Sequence, residues 1–193
     1  LFTSFYKEFD PYREPDMSKI SILHSWGSKH TDGFYSTICK QFNVERKTLK
    51  DVYGRKDKLD AVCNDLMDQL QKQDIGIFDY VFIDEAQDFG MMVYATLAYC
   101  LRGCTYTIMG DVSQNIHYGY GLNDWEDLRK LILTGDYDNF GILKKSYRNT
   151  VEISEFATEV LRHGSFSIYP AEPILRHGNP VSMQGFDTEE KMN

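Results

Sequence analysis

No run of apolar residues long enough to cross a bilayer occurs in this 193-residue chain, and that excludes a membrane-spanning helix. The first residues, LFTSFYKEF, carry no basic segment ahead of an apolar one. They do not read as a signal peptide, but as a chain entered in mid-domain. Positive charge is scarce: Lys and Arg number 21 against 29 Asp and Glu, for a net charge of -8. That balance argues against a general basic surface for nucleic acid and leaves room for a local basic groove. Cysteine is scarce too, with Cys39, Cys63, Cys100 and Cys104 and no CxxC pair. A disulfide frame and a zinc site are set aside, and the four read as reduced thiols of a cytoplasmic protein. There is no internal repeat and no low-complexity tract.

What is present is an ordinary globular composition, 42% hydrophobic and 26% charged, at a length that suits one domain or one domain plus part of another. Aromatics are plentiful, with 13 Tyr and 12 Phe, and core packing is the default use for them. Residues 1–6 and 19–24 read as strands. Helices are expected over 32–42, over 57–70 (Leu59, Val62, Leu66 and Leu70 on one face), and over 91–103 with Gly103 at the end. Further helices are expected over 123–135 after an Asn123 cap and over 149–164 after an Asn149 cap with Glu152 three residues on. Short apolar runs at 79–84, 104–110, 140–145 and 180–186 read as strands, the first buried on both faces. Strands alternating with helices imply an α/β fold built on a parallel sheet with helices on both faces, and ligands of such sheets sit at the carboxyl ends of the strands.

Three successive strand ends carry polar side chains suited to nucleoside triphosphate chemistry. DYVFIDEAQDFG (79–90) ends its apolar run in Asp84-Glu85. A carboxylate pair there either points to water or holds a cation and polarises a water, because burying it unpaired is expensive. On the second reading Asp84 holds Mg²⁺ and Glu85 deprotonates the attacking water. MGDVSQNI (109–116) offers Asp111 and Gln114 after a turn at Gly110. LKKSYRNT (143–150) offers Arg148, an arginine suited to a phosphate. Each segment alone has a plain alternative as a solvated strand end, turn chemistry or an exposed arginine; their order gives them weight.

FIDEAQDF, GDVSQNI and LKKSYRNT resemble motifs II, III and IV of superfamily-one helicases of the UvrD/Rep type, closest to the UvrD-like group that includes the RNA polymerase-associated factor HelD. LFTSFYKEF and ILHSWGS are similar, more loosely, to motif Ia and the single-strand-contacting segment after it. The resemblance implies a RecA-like fold with ATP and Mg²⁺ as cofactors. It implies Asp84 as the Mg²⁺ acid, Glu85 as the base, Gln87 as a nucleotide-pocket or coupling residue and Asp88 as a structural acid. It also implies Asp111 at the nucleotide, Gln114 as the γ-phosphate sensor and Arg148 as the γ-phosphate arginine. His24, Ser25 and Trp26 would touch single-stranded nucleic acid. The family's Trp-Arg pair after motif III is replaced by HYGYGLN, where Tyr118 or Tyr120 would have to supply any stacking on a base.

No GxxxxGKS or GxxxxGKT phosphate loop occurs; HSWGSKHT (24–31) has neither the upstream glycine nor adjacent Lys and Thr. The expectation is therefore an excised middle, with residues 1–145 as a partial first RecA-like domain and 146–193 as the entry to the second, the phosphate-loop strand being absent. The isolated chain should be inactive, and the parent an ATP-dependent DNA helicase or translocase. The alternatives are a HelD-like factor that remodels RNA polymerase and a non-catalytic helicase-like interaction module.

Overall fold

Helix α3, Lys58–Met67, starts where Asp57 accepts from the Asp60 N–H at 3.0 Å, and its buried side chains, Val62, Cys63 and Leu66, recur at helical spacing. Its partner is α4, Met91–Cys100, a helix apolar on every side that packs between α3 and α5, Trp125–Ile132. The computed structural model describes residues 2–70, 78–101, 103–115, 120–132, 139–164 and 172–185. Before α3 lie α1, Phe2–Phe9, and α2, Phe34–Gln41. Strand β1, Tyr80–Ile83, precedes α4, and β2, Thr105–Ile108, follows it. β1 and β2 pair in parallel with Tyr80 opposite Thr105 and Ile83 opposite Ile108, so α4 is the crossover of a β-α-β unit. β3, Lys145–Ser146, pairs in parallel with β4, Glu172–Pro173, and between them runs α6, Val151–His163.

The chain divides into two compact units, Leu1–Leu133 and Thr134–Asn193. The core of the first is built from α2, α3 and α4, with Tyr35, Ile38, Val62, Leu66, Tyr94 and Leu97 all buried. The inner face of the β1–β2 pair, Val81, Ile83, Tyr106 and Ile108, rests on this core. None of the four cysteines is in a disulfide, and burial pushes Cys63 and Cys100 up to about 12, out of the reactive range. Among the described residues no helix is long and apolar enough to cross a membrane.

The described residues form a mixed α/β fold with two small parallel sheets of two strands each, order β1-β2 and β3-β4. A single broader sheet covered on both faces does not form among them. β1 is not buried on both faces: Tyr80 and Phe82 are 67% and 70% exposed. Residues 2–6 are helical and not a strand, and residue 1 lies outside the described residues. With no partner strand beside them, a helix satisfies the backbone groups internally, which an isolated strand cannot. Over 19–24 the strand is reduced to a 3-10 turn at Met17–Lys19, capped by Asp16, and a single bridge between His24 and Gly33. At 140–145 only Lys145 is in a strand; Phe140 and Leu143 are exposed, so extension there buries nothing. Residues 180–185 form no strand, and 186 lies outside the described residues.

Two caps shift by one residue. Asp124, not Asn123, accepts from the first turn of α5, at 2.9 Å from Glu126 N. Thr150, not Asn149, occupies the cap position of α6. Gly103 adopts φ +94 just past the α4 end, where only glycine is unstrained. The buried and open faces should separate in mutants. Leu66→Ala should cost about 2–5 kcal/mol in urea unfolding, and Phe82→Ala under about 0.5 kcal/mol. A comparable loss from both would mean that the outer face of β1 is covered.

Candidate functional site

The parallel pairing sets the site: it delivers the residues after β1 and after β2 to the same edge. The chain leaves β1 at Asp84, whose carboxylate accepts from Glu85 N at 3.0 Å. Glu85 sits in the left-handed region, φ 51 and ψ 44, a conformation that costs a residue with a Cβ about 1–2 kcal/mol. Neighbouring contacts fix it there. Ala86 N donates to Met109 O at 2.9 Å and Asp88 N to Glu85 O at 3.0 Å. The Tyr94 hydroxyl, from the first half of α4, donates to Ala86 O at 2.6 Å. Burial, with the Asp88 charge added, pushes the Tyr94 phenol above its usual range, so it stays a donor. Ala86–Asp88 then closes one 3-10 turn before α4.

Gln87 is 3% exposed and is the junction of the site. Its Nε2 donates to Glu85 Oε2 at 2.7 Å and its Oε1 accepts from Asp111 N at 2.9 Å. Its carbonyl accepts from Leu122 N at 3.0 Å. One residue therefore ties the acid-pair turn to the loop after β2 and to that loop's return. Two glycines make room for it. A Cβ on Gly110 would lie 2.5 Å from Gln87 Oε1, and a Cβ on Gly121, which has φ +81, would lie 2.4 Å from the Gln87 carbonyl oxygen. Gly110 itself is not in the left-handed region, so close approach and not a tight turn is what requires glycine there.

Asp111 organises the second loop. Its Oδ1 accepts from Ser113 N at 3.0 Å and Ser113 Oγ at 2.5 Å, and its Oδ2 from Gln114 Nε2 at 3.0 Å. Burial opposes ionisation of Asp111, but the Ser113 hydroxyl, the Gln114 amide and the Ser113 N–H together outweigh it and hold the carboxyl below its usual range. The Gln114 side chain thus rests on Asp111 while the residue stays exposed. Asn115 donates to the carbonyls of Tyr120 and Leu122, at 2.9 and 3.3 Å, and folds the loop back.

Asp84, Glu85, Gln87, Asp111 and Gln114 are accordingly brought together at one sheet edge, with the carboxylates of Asp84 and Glu85 exposed and the Gln87 amide buried beneath them. Asp88, also exposed, joins through its N–H. Among the described residues no three His, Cys, Asp or Glu side chains are grouped as a cage for a metal. His24, Ser25 and Trp26 lie at the bridge leading into α2. Trp26 is half-buried and meets Tyr35 edge-on at 5.6 Å, while His24 is exposed. Tyr120 is half-buried, and Tyr118 lies outside the described residues.

In the second unit Arg148 is exposed, and its carbonyl accepts a hydrogen bond from the Arg176 guanidinium. Beside it Glu152 accepts from Gly178 N at 2.9 Å and pairs with His177 Nδ1 at 2.8 Å, which ties the strap after β4 to the start of α6. The Gly178 N–H and then His177 hold the Glu152 carboxyl down at about 2. The capping partnership expected for Glu152 with Asn149 is replaced by this tie. Tyr94 and Asn115 were not singled out by sequence, because their roles are contacts across 5 to 8 residues that no local pattern announces, and Gly121 was not because its close approach is to Gln87, far back in the chain.

Neither a scan against protein-family models nor a search of curated proteins finds a match to this chain.

Two outcomes are expected. Gln87→Leu, which keeps the volume but leaves Glu85 and the Asp111 N–H unpaired, should cost about 1–3 kcal/mol and speed amide exchange at Asp111; unchanged exchange there would remove Gln87 as the junction. Glu152 has its folded pKa lowered to about 2 from an unfolded value near 4.3, so its stabilisation is complete above about pH 4.3 and is lost as pH falls towards 2. Wild type should be more stable than Glu152→Gln at pH 7, and the gap should close in acid.

Proposed function

We infer that this chain carries the nucleotide-hydrolysis and coupling motifs of a superfamily-one DNA helicase or translocase of the UvrD/Rep type, built on a RecA-like domain. The observation that carries the inference is the Gln87 bridge, which joins an exposed acid pair after one parallel strand to the Asp111–Gln114 turn after the next. Hydrolysis coupled to movement needs such a joint between the group that activates water and the group that senses the terminal phosphate. On this reading Glu85 takes the proton of the attacking water, Gln114 contacts the γ-phosphate once released from Asp111, and Arg148 stabilises charge on the transferred group.

The donor set fits Mg²⁺ bound together with ATP. Mg²⁺ favours one or two carboxylates plus phosphate oxygens and waters over an all-protein cage, and Asp84 offers an exposed carboxylate. Held by Asp84, Mg²⁺ would supply charge neutralisation to the nucleotide's phosphates. His24 and Tyr120 would face single-stranded DNA.

A second reading has one feature in its favour. The net charge of -8, with HYGYGLN where the family has a Trp-Arg pair, suits a HelD-like factor acting on RNA polymerase better than a DNA motor.

The purified chain, which lacks a phosphate loop, should show no steady-state ATP turnover; turnover abolished by Glu85→Gln would overturn that. In a full-length protein that supplies the loop, Glu85→Gln should slow hydrolysis about 10²–10⁴-fold. Stimulation of the intact enzyme by single-stranded DNA, lost steeply as salt rises, supports the motor; stimulation only by RNA polymerase supports the second reading. An unaffected rate in Glu85→Gln would end both.

A further inference from the structure

Helix α4 begins directly after the acid-pair turn, yet its cap residue is Gly90, which has no side chain to receive the free N–H groups of the first turn. The receiver comes from another helix. Asp60 Oδ1, on α3, accepts from Met92 N at 2.6 Å and from Val93 N at 3.2 Å, across 32 and 33 residues of chain, and it shares the Val93 N–H with the Gly90 carbonyl at 3.1 Å. The two helices are pressed together at this point. A Cβ on Gly90 would lie 2.4 Å from Asp60 Oδ1 and 3.0 Å from Asp57 Oδ2. Asp57 accepts the Asp60 N–H through its Oδ1, while its Oδ2 is buried with no partner among the described residues. Burial pushes the Asp60 carboxyl up from its usual range, against the pull of the Met92 N–H. A half-buried carboxylate beside a second one is a costly way to cap a helix that Ser or Asp at position 90 would cap locally. What it adds is a fixed distance between α3 and the start of α4.

That start governs the acid pair. Tyr94, two residues beyond Met92, holds the Ala86 carbonyl at 2.6 Å, and Ala86 is flanked by Glu85 in its left-handed conformation and by Gln87. We propose that Asp60 is a positioning residue for Glu85, acting through the first turn of α4 and Tyr94 to set where the Glu85–Gln87 contact forms. As a role in hydrolysis this rests on the functional reading above; as a structural linkage it does not.

The test is carried out on the chain by ¹H–¹⁵N spectroscopy, without metal or nucleotide. Asp60→Leu keeps the size and removes the acceptor. It should lower the exchange protection of the Met92 amide about tenfold or more, while Val93 keeps its bond to the Gly90 carbonyl, and should also shift the Gln87 side-chain amide and the Asp111 amide. Asp60→Asn retains an acceptor oxygen and should restore both sets of signals. Tyr94→Phe leaves the cap in place; it should shift the Gln87 and Asp111 signals while Met92 and Val93 stay protected, and it reads the linkage even if Asp60→Leu fails to fold. Unmoved Gln87 and Asp111 signals in Tyr94→Phe, or in a folded Asp60→Leu, would reduce Asp60 to a cap and overturn the proposal. An unchanged rate of hydrolysis in Glu85→Gln of a protein that supplies the phosphate loop would count against the functional reading and leave the linkage standing, so the two failures are distinguishable.

Discussion

A single buried amide, that of Gln87, is the contact on which the rest of the site depends. Burying a carboxamide is unfavourable unless both its ends are paired. Gln87 meets that condition by donating to Glu85 and accepting from the Asp111 N–H, and its own carbonyl takes the Leu122 N–H. Three segments that follow different elements are therefore held in one register. An apolar side chain of the same size would fill the space and leave each of them to its own turn geometry. Gly110 and Gly121 follow from the same requirement, since a side chain at either would occupy the space of Gln87.

The strain at Glu85 makes sense in this setting. A left-handed non-glycine residue persists only where its surroundings over-determine it. Here the backbone that follows is held at Ala86 by Met109 and Tyr94, the Glu85 N–H by the Asp84 carboxylate, and the side chain by Gln87. The acids themselves remain in water. The desolvation cost of a buried carboxylate pair is thus avoided, and the burial falls on a neutral group that can be fully hydrogen-bonded. Such an arrangement holds a carboxylate in a fixed direction without raising its energy, which suits a group that must meet a ligand from solvent.

Much of this was legible in the sequence, and unevenly so. The segments around Asp84-Glu85 and Asp111–Gln114 stood out because short apolar runs ending in polar residues have a local signature, and the parallel pairing of β1 with β2 then brought them to one edge. The helices expected over 57–70 and 91–103 were readable from the spacing of Val62 and Leu66 and from the glycine beyond α4, though they run only over Lys58–Met67 and Met91–Cys100. LFTSFY misled for a physical reason. Its β-rich composition favours a strand only if another strand is there to receive its hydrogen bonds, and pairing is not a local property. The exposed Tyr80 and Phe82 failed expectation likewise, because an apolar run does not say how many of its faces will be covered. Gly110 was found for the wrong reason. Its need arises from a side chain 23 positions earlier, and no turn rule contains that.

The two units also differ in how they hold their functional groups. In the first, the acid pair is fixed by a buried amide, a buried phenol and a helix start that is itself capped from α3. In the second, Arg148 is exposed; its backbone is held by Arg176, and the adjoining Glu152–His177 tie is a surface contact that acid weakens. On the proposed reading Glu85 is a base that must be aimed to within a fraction of an ångström of the water it activates, and rigidity around it would then be useful before any ligand arrives. A phosphate-contacting arginine acts as a charge on a long flexible stem, and needs only its backbone anchored. The contrast between a determined carboxylate and an exposed arginine is what the proposed chemistry would ask of each, and it is expressed in packing, not only in residue identity.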